Sequence, residues 1–270
     1  MGAEVIHTAH PKIIMVTSFK GGVGKSTITA NLSLSVAQTG KTVLCIDCDL
    51  NMRCLDLIFG LEDKVVYDVC DVVTGRIPPK KAAVQDERAK ELFFLAAPYN
   101  LRDTVTPEQF RRAVYEMQEC FHADYIFLDT PGDNGLPYSL ASAAADAALV
   151  ISTHQPASIR AAEKTAEQLQ KSGITDRRLI INNFDFAAVR KGLLPGISEI
   201  IDRTTVPLLG VIPYDMQFGR LQEHGALFDS SPSLPASTAI RNITQRLLCP
   251  TVRLPLFTGF GSAERKTVRL

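Results

Sequence analysis

The sequence predicts an α/β protein in which helices cover both faces of a doubly wound, mostly parallel sheet. Apolar runs of strand length alternate with helical segments from Lys12 to Asp215, an alternation that is typical of β-α-β units. A glycine-rich turn joins the first apolar run to the first helical segment. The 270 residues, 46% of them apolar, are sufficient for a well-buried core. We therefore expect a single domain at residues 1–250 and a C-terminal tail at residues 251–270.

The predicted strands are short apolar runs bounded by turn residues. They lie at residues 12–17, 42–46, 92–96, 125–129, 147–152, 178–183 and 208–215. Helices are predicted from apolar stripes, alanine-rich runs and terminal signals such as Thr106-Pro107 and Gly75. They lie at residues 26–38, 67–74, 107–121, 141–145, 158–171 and 235–248. Residues 1–11 are interpreted as a loose lead-in.

The charge and aromatic content do not favour nucleic-acid binding. Lys and Arg together number 29, as do Asp and Glu, so the formal net charge is +0. Bulk charge therefore gives no sign of a basic nucleic-acid binder, although a local patch is compatible with it. Trp is absent and aromatic residues make up 7% of the chain, which disfavours a stacking platform for single strands.

The sequence has neither a recognisable secretory leader nor an apolar run of about 18 residues, the length of a membrane span. We therefore expect a cytoplasmic protein whose six cysteines stay reduced. Cys45 and Cys48 have C-x-x-C spacing at the end of a predicted strand, and no second such pair exists. Buried structural thiols are the favoured interpretation, and a metal cluster shared across a dimer is the alternative.

The strongest motif is the turn KGGVGKS at residues 20–26, between an apolar strand and a helix. Glycines let backbone N–H groups surround a phosphate, and the helix N-terminus adds its positive dipole end. Lys25 can place a charge on the β- and γ-phosphate oxygens, and the Ser26 hydroxyl can bind Mg²⁺. The residues expected to hold the nucleotide here are Gly21, Gly22, Val23, Gly24, Lys25, Ser26 and Thr27.

Aspartates end two of the predicted strands. Asp47 and Asp49 follow the second strand, and Asp129 ends the strand at residues 125–129. Parallel sheets bind ligands at this edge, where a carboxylate can hold a Mg²⁺-bound water or orient an attacking water. We expect Asp129 and Asp47 to shape the metal site together with Ser26. The alternative for Asp47 and Asp49 is that they cap the next helix.

The loop departs from the general pattern G-x-x-x-x-G-K-[ST], because Phe19 replaces its first glycine and Lys20 is an additional lysine. This deviant Walker A motif resembles that of the ParA/MinD family of ATPases. Residues 49–62, DLNMRCLDLIFGLE, are similar to the family signature D-x-G-L-R-N-L-D-x-x-x-G-L-E, with Asn51 and Cys54 in place of its Gly and Asn. The resemblance implies a P-loop NTPase fold of the SIMIBI type.

The resemblance also implies roles for single residues. Asp49 matches the switch I aspartate that positions water, and Lys20 would reach the phosphates of a second subunit. Thr130-Pro131-Gly132 is similar to the switch II turn. The start of the helix at residue 158, Ser-Ile-Arg, is also similar to the family's sequence. Residues expected at the adenine are Asn182, Pro213 and Asp215. Lys20, Lys25, Asp49 and Asp129 are thus the catalytic candidates.

The function implied by the resemblance is that of a Mg²⁺-dependent ATPase, with ATP and Mg²⁺ as cofactors, that dimerises on ATP in division-site selection. Its partners would be regulatory proteins of that process, and nucleic acid is not expected. Two alternatives stay open: a ParA-like ATPase that positions DNA or another cargo, and a metal-cofactor maturation ATPase that uses Cys48 or Cys54. The tail is either disordered or a weak contact with the inner face of the cell membrane.

Overall fold

The computed structural model describes residues 13–50, 52–98 and 105–252, which include an eight-stranded sheet. Its strands are β1 (Ile13–Thr17), β2 (Val43–Asp47), β3 (Val84–Gln85), β4 (Leu92–Leu95), β5 (Tyr125–Asp129), β6 (Ala147–Ser152), β7 (Asp176–Phe184) and β8 (Leu208–Pro213). Their order in the sheet is β3-β4-β2-β5-β1-β6-β7-β8. Among the described residues, β3 pairs antiparallel with β4 and the other neighbours are parallel. The predicted fold class is confirmed.

Helices connect the strands and lie on both faces of the sheet. They are α1 (Lys25–Ala37), α2 (Leu55–Phe59), α3 (Val69–Val73), α4 (Pro79–Ala82), α5 (Pro107–Phe121), α6 (Leu136–Ala144), α7 (Pro156–Lys171), α8 (Phe186–Arg190), α9 (Ile197–Thr204), α10 (Met216–Gln222) and α11 (Pro235–Leu248). Short 3₁₀ turns occupy Glu62–Lys64 and Phe228–Ser230.

The central strands are largely apolar and buried because both faces of the sheet are covered. In β1, Ile13 and Met15 belong to one buried cluster, which includes side chains of α5, α6 and α7. Ile14 and Val16 belong to a second cluster, which includes side chains of α1, α2 and α11. This alternation follows the two-residue period of a strand and places α1, with the glycine-rich turn before it, on one face.

Several predicted ends of elements agree with the structure because local signals define them. Thr106 accepts a hydrogen bond from Gln109 N in a capping box, and Pro107 is the first residue of α5. By contrast, α7 begins at Pro156 rather than residue 158, since proline is preorganised for a first helical position. Strand β7 begins at Asp176, two residues earlier than predicted, because it pairs with Ala147 at the start of β6.

Within the described part of the chain, no helix has both the length and the apolar character needed to span a membrane. The lead-in predicted at residues 1–11 lies outside the described residues, as does the tail from residue 253 onward.

Candidate nucleotide site

The glycine-rich turn runs from the end of β1 to the start of α1. Gly22 and Gly24 have φ angles of 73° and 92°, in the region that only glycine adopts readily. A Cβ on Gly24 would also lie 2.3 Å from Asn182 Nδ2. Glycine at this position is therefore required by the backbone angle and by the side chain that packs against it.

Asn182, on β7, holds the turn in place. Its Nδ2 donates a hydrogen bond of 2.9 Å to the Val23 carbonyl oxygen, and the residue is buried. The resemblance assigns this side chain to the adenine edge, whereas the structure shows a bond to the loop itself. One amide hydrogen is used in this way, which leaves the second hydrogen and the oxygen for another partner.

Asp129, at the end of β5, is joined to the first two turns of α1. Ser26 Oγ donates to Asp129 Oδ2 over 2.6 Å, and Thr29 Oγ1 lies 2.8 Å from Asp129 Oδ1. Burial raises the pKa of Asp129 to about 6, against the opposing effects of Ser26, Thr29 and the charge of Lys25. A hydroxyl and a buried carboxylate at hydrogen-bond distance suit a hard cation that prefers oxygen ligands.

Asp47 lies beside Asp129, in register on the neighbouring strand β2, and is fully buried. Its Oδ1 accepts from Asp49 N over 2.8 Å and its Oδ2 accepts from Leu55 N over 3.2 Å. Leu55 is the first residue of α2. The contacts of Asp47 in this structure are therefore those of a side chain that caps the next helix, which was the alternative to a metal-binding role. Burial and the charge of Asp129 raise the pKa of Asp47 well above its usual value.

Lys25 is the first residue of α1 and is buried, with Nζ 3.3 Å from the Lys20 carbonyl oxygen. Burial lowers the pKa of Lys25, whereas the carboxylates of Asp129, Asp49 and Asp133 act in the opposite direction. Asp133 was not among the residues expected at the site. All three carboxylates thus act electrostatically on the lysine that is expected to contact phosphate.

The segment after Asp129 rests on the glycine-rich turn. Thr130 Oγ1 donates to the Val16 carbonyl oxygen over 2.9 Å, which ties the segment to β1. A Cβ on Gly132 would lie 2.8 Å from Gly21 N. The sequence shows Gly132 as part of a switch-like turn, but it gives no sign of this close approach.

A cavity of about 520 Å³ opens beside the turn, at the carboxyl ends of β7 and β8. It brings together Thr27, Asn182, Pro213 and Asp215, which the sequence analysis assigns to the nucleotide. Asp215 Oδ1 caps α10 by accepting from Gln217 N, and its buried Oδ2 has no hydrogen-bond partner within the described residues. The other lining residues are Gly22, Gly24, Asn183, Ile212, Tyr214, Met216, Phe218, Gly219, Arg220, Gln222 and Glu223.

A loop that can surround phosphates, a hydroxyl–carboxylate pair and an adjoining cavity thus share one edge of the sheet. A family model described as the CobQ/CobB/MinD/ParA nucleotide binding domain matches residues 14–228. The chain belongs to this family. The resemblance to ParA/MinD ATPases seen in the sequence is therefore confirmed, and the glycine-rich turn is the P-loop of a CobQ/CobB/MinD/ParA domain.

Relatives within this family are named for cell division. The chain is 36% identical over 244 residues to the septum site-determining protein MinD of Bacillus subtilis, covering 89% of this chain and 90% of the relative. It matches a solved MinC:MinD cell division complex of Aquifex aeolicus at a TM-score of 0.84 and 32% identity, covering 92% of this chain and 100% of that one. MinD of Pyrococcus horikoshii, solved with Mg-ADP, shares the fold at a TM-score of 0.77 and 24% identity, covering 87% and 95% of the two chains.

The cysteines do not converge on a metal site within the described residues of this chain. All six are free thiols, and Cys45 and Cys48 are buried, as the sequence predicts for structural thiols. Burial raises the pKa of both well above its usual value, which disfavours the thiolate that binds metals. Among the described residues, no group of three or more His, Cys, Asp or Glu side chains is arranged to hold a metal ion.

Proposed function

We propose that this chain is a MinD-like ATPase that hydrolyses ATP with Mg²⁺ and acts as a dimerising switch in division-site selection. The observation that carries the proposal is the Ser26–Asp129 hydrogen bond beneath a P-loop that contains both Lys20 and Lys25. The similarity to MinD proteins over most of the chain supports the same function. Residues 1–250 would form the ATPase domain, and residues 251–270 its tail.

In this function the loop amides and Lys25 bind the β- and γ-phosphates. Ser26 and Asp129 would hold Mg²⁺, which would supply positive charge to the phosphate oxygens. The close packing of Gly24 on Asn182 leaves no room for a side chain between the loop and β7, so the P-loop amides keep their positions. The cavity lined by Pro213 and Asp215 is the place for the base.

Asp49 orients the attacking water, and Lys20 contributes its charge to the phosphates of a second subunit. A cation supplied in trans increases phosphoryl-transfer rates about 10³–10⁵-fold in proteins that use an arginine for this purpose. Hydrolysis would then depend on dimerisation, and loss of the γ-phosphate would release the two chains.

Turnover measured against protein concentration tests this proposal. The specific activity of the wild type should rise with concentration and then saturate, whereas Lys20→Ala should stay low at every concentration while still binding ATP. Lys41→Ala is the matched control, since Lys41 forms a half-exposed ion pair with Asp124 away from the P-loop. Wild-type turnover in Lys20→Ala would contradict the role in trans, and failure of the wild type to hydrolyse Mg·ATP would overturn the function.

The partners of this switch would be division regulators and the inner face of the membrane. The Aquifex structure is a complex of MinD with MinC, which makes a regulator of that kind the first partner to test. Membrane binding is tested by sedimenting the full chain with anionic vesicles in ATP and in ADP. The double variant Leu256→Glu/Phe257→Glu removes apolar residues of the tail and should abolish ATP-dependent sedimentation without changing turnover.

A further inference from the structure

The loop between β2 and α2 contains an arginine in an unfavourable backbone conformation. Arg53 has a φ of 32°, in the positive region that non-glycine residues rarely adopt. Such a conformation persists only where surrounding contacts fix it, and it occurs often at functional sites. The contacts around Arg53 therefore indicate which residue of the loop is kept in a fixed position.

The Arg53 side chain forms an ion pair with Asp56. Arg53 Nε and Asp56 Oδ2 are 2.6 Å apart, and the two side chains are 8% and 2% exposed. A buried charge without its partner is strongly destabilising, so each residue restricts the position of the other. Asp56 lies in the first turn of α2, and the pair therefore connects the loop to that helix.

Helix α2 is itself anchored to the rest of the domain. It has five residues, too few to be stable alone. Leu55 and Phe59 are buried in the core cluster that also contains α1 side chains, and Leu55 N donates to Asp47 Oδ2 at the end of β2. Asp56 is thus a fixed point from which the loop can be held.

The same loop holds Asp49. Arg53 N donates to the Asp49 carbonyl oxygen over 3.1 Å, and Met52 N donates to Asp49 Oδ1, also over 3.1 Å. The Met52 side chain is 70% exposed, so it contributes little apolar packing to the loop. The Asp49 carboxylate is thus held by the Met52 amide, and the next residue, Arg53, is fixed to Asp56 through its side chain.

We propose that the Arg53–Asp56 ion pair is a positioning pair that holds the Asp49 carboxylate for water activation. The inference rests on the proposed ATPase function and on the role of Asp49 within it. Neither residue of the pair is assigned a contact with the phosphates. Their effect passes through Asp49, and this dependence separates the proposal from a general contribution to stability.

A double-mutant cycle tests the dependence. Arg53→Gln should lower kcat about 10–100-fold, because small displacements of a catalytic group cost rates of this order, while KM for Mg·ATP changes little. The melting temperature should fall, because Asp56 is left buried without its partner, so kcat is compared at a temperature at which both proteins are fully folded. Arg53→Lys, which keeps the charge, should recover part of the loss. In an Asp49→Asn background, Arg53→Gln should lower kcat no further. Arg112→Gln, which breaks the exposed Arg112–Glu116 pair on α5, is the control and should leave kcat unchanged.

Amide hydrogen exchange provides a second measurement that does not depend on turnover. Exchange of the Met52 and Arg53 amides should become faster in Arg53→Gln, whereas the core strands stay protected. The proposal is overturned by an unchanged kcat in Arg53→Gln, by an equal fold-loss in both backgrounds, or by unchanged exchange at these two amides. Full turnover in Asp49→Asn also overturns the positioning proposal, but it leaves the proposed ATPase function intact. If the wild type does not hydrolyse Mg·ATP, the proposed ATPase function itself is wrong.

Discussion

Gly132 lies so close to Gly21 that a Cβ added to Gly132 would be 2.8 Å from the Gly21 amide nitrogen and 3.1 Å from its Cα. The two atoms that this Cβ would meet belong to the main chain of Gly21, so no side-chain rotation can relieve the clash. The turn after β5 and the P-loop therefore touch through glycine, and a change in either backbone is passed directly to the other.

Gly132→Ala should weaken nucleotide binding. Overpacking of this kind costs about 1–3 kcal/mol, and 1.4 kcal/mol corresponds to about tenfold in affinity. We expect a loss of roughly this size in the affinity for a fluorescent ATP analogue. Gly196→Ala is the control, because a Cβ there meets its nearest atom, on Val189, at 3.9 Å. Equal affinities for Gly132→Ala and wild type would contradict the contact.

Thr29→Val should destabilise the nucleotide-free protein by about 1–3 kcal/mol, the cost of leaving a buried acceptor without its donor. Thr29 Oγ1 is 2.8 Å from Asp129 Oδ1, and valine has the same shape without the hydroxyl. Loss of this donor should also raise the pKa of Asp129 further, since Thr29 now lowers it. Urea unfolding at pH 7.5 measures the effect, and Thr29→Ser, which keeps the hydroxyl, should retain most of the stability.

Asn182→Asp should impair the P-loop more than a general change of charge would. The carboxylate cannot donate to the Val23 carbonyl oxygen, which is now 2.9 Å from Asn182 Nδ2. We expect ATP affinity to fall about tenfold or more, because the variant loses a buried hydrogen bond and places a carboxylate oxygen against the Val23 carbonyl oxygen, which is also an acceptor. Asn183→Asp adds the same charge at an exposed neighbour in the same cavity. If both variants lose affinity equally, the effect is one of charge and the anchoring role is wrong.

His154 should make the protein less stable as the pH falls below about 6.5, the ordinary pKa of histidine. The ring packs edge-on against Phe184 with centroids 5.8 Å apart, and its buried Nδ1 has no partner within the described residues. Burial lowers the pKa of His154, although the charge of Asp185 opposes this. The folded state thus binds fewer protons here than the unfolded chain, so acid favours unfolding.

The measurement is the free energy of unfolding at pH 7.5 and pH 5.5. The loss between these two values should be smaller in His154→Leu than in the wild type. His122→Asn is the matched control, because His122 is exposed and has a φ of 51° that asparagine tolerates. An identical pH dependence in His154→Leu and wild type would show that His154 does not contribute.

The sequence allowed much of the architecture to be predicted, because its signals are local. Strands β5 and β6 and helices α5 and α11 have the predicted bounds. Strand β3 and helices α2, α4, α8, α9 and α10 were not predicted. With eight residues or fewer, they are too short for a hydrophobic period to be recognised.

At the site, the P-loop residues could be assigned because they are consecutive in the chain. The contacts of Thr29 with Asp129 and of Gly132 with Gly21 could not, because each joins segments about 100 residues apart. The contacts of Asp47 were likewise not predictable from the sequence. Because Asp47 ends a strand, its carboxylate could be predicted to lie beside Asp129. That both of its oxygens accept backbone N–H groups is shown only by the folded loop.

Strand β1 is the first strand of the described chain, yet it lies between β5 and β6. A ribosome must therefore translate as far as Ser152 before Ile13–Thr17 has both of its neighbours. At about 5–20 residues per second, synthesis of the intervening 135 residues takes roughly 7 to 27 seconds. Throughout that interval an apolar strand lacks at least one of its sheet neighbours on the nascent polypeptide, and incompletely paired apolar segments of this kind are prone to aggregate unless chaperones bind them.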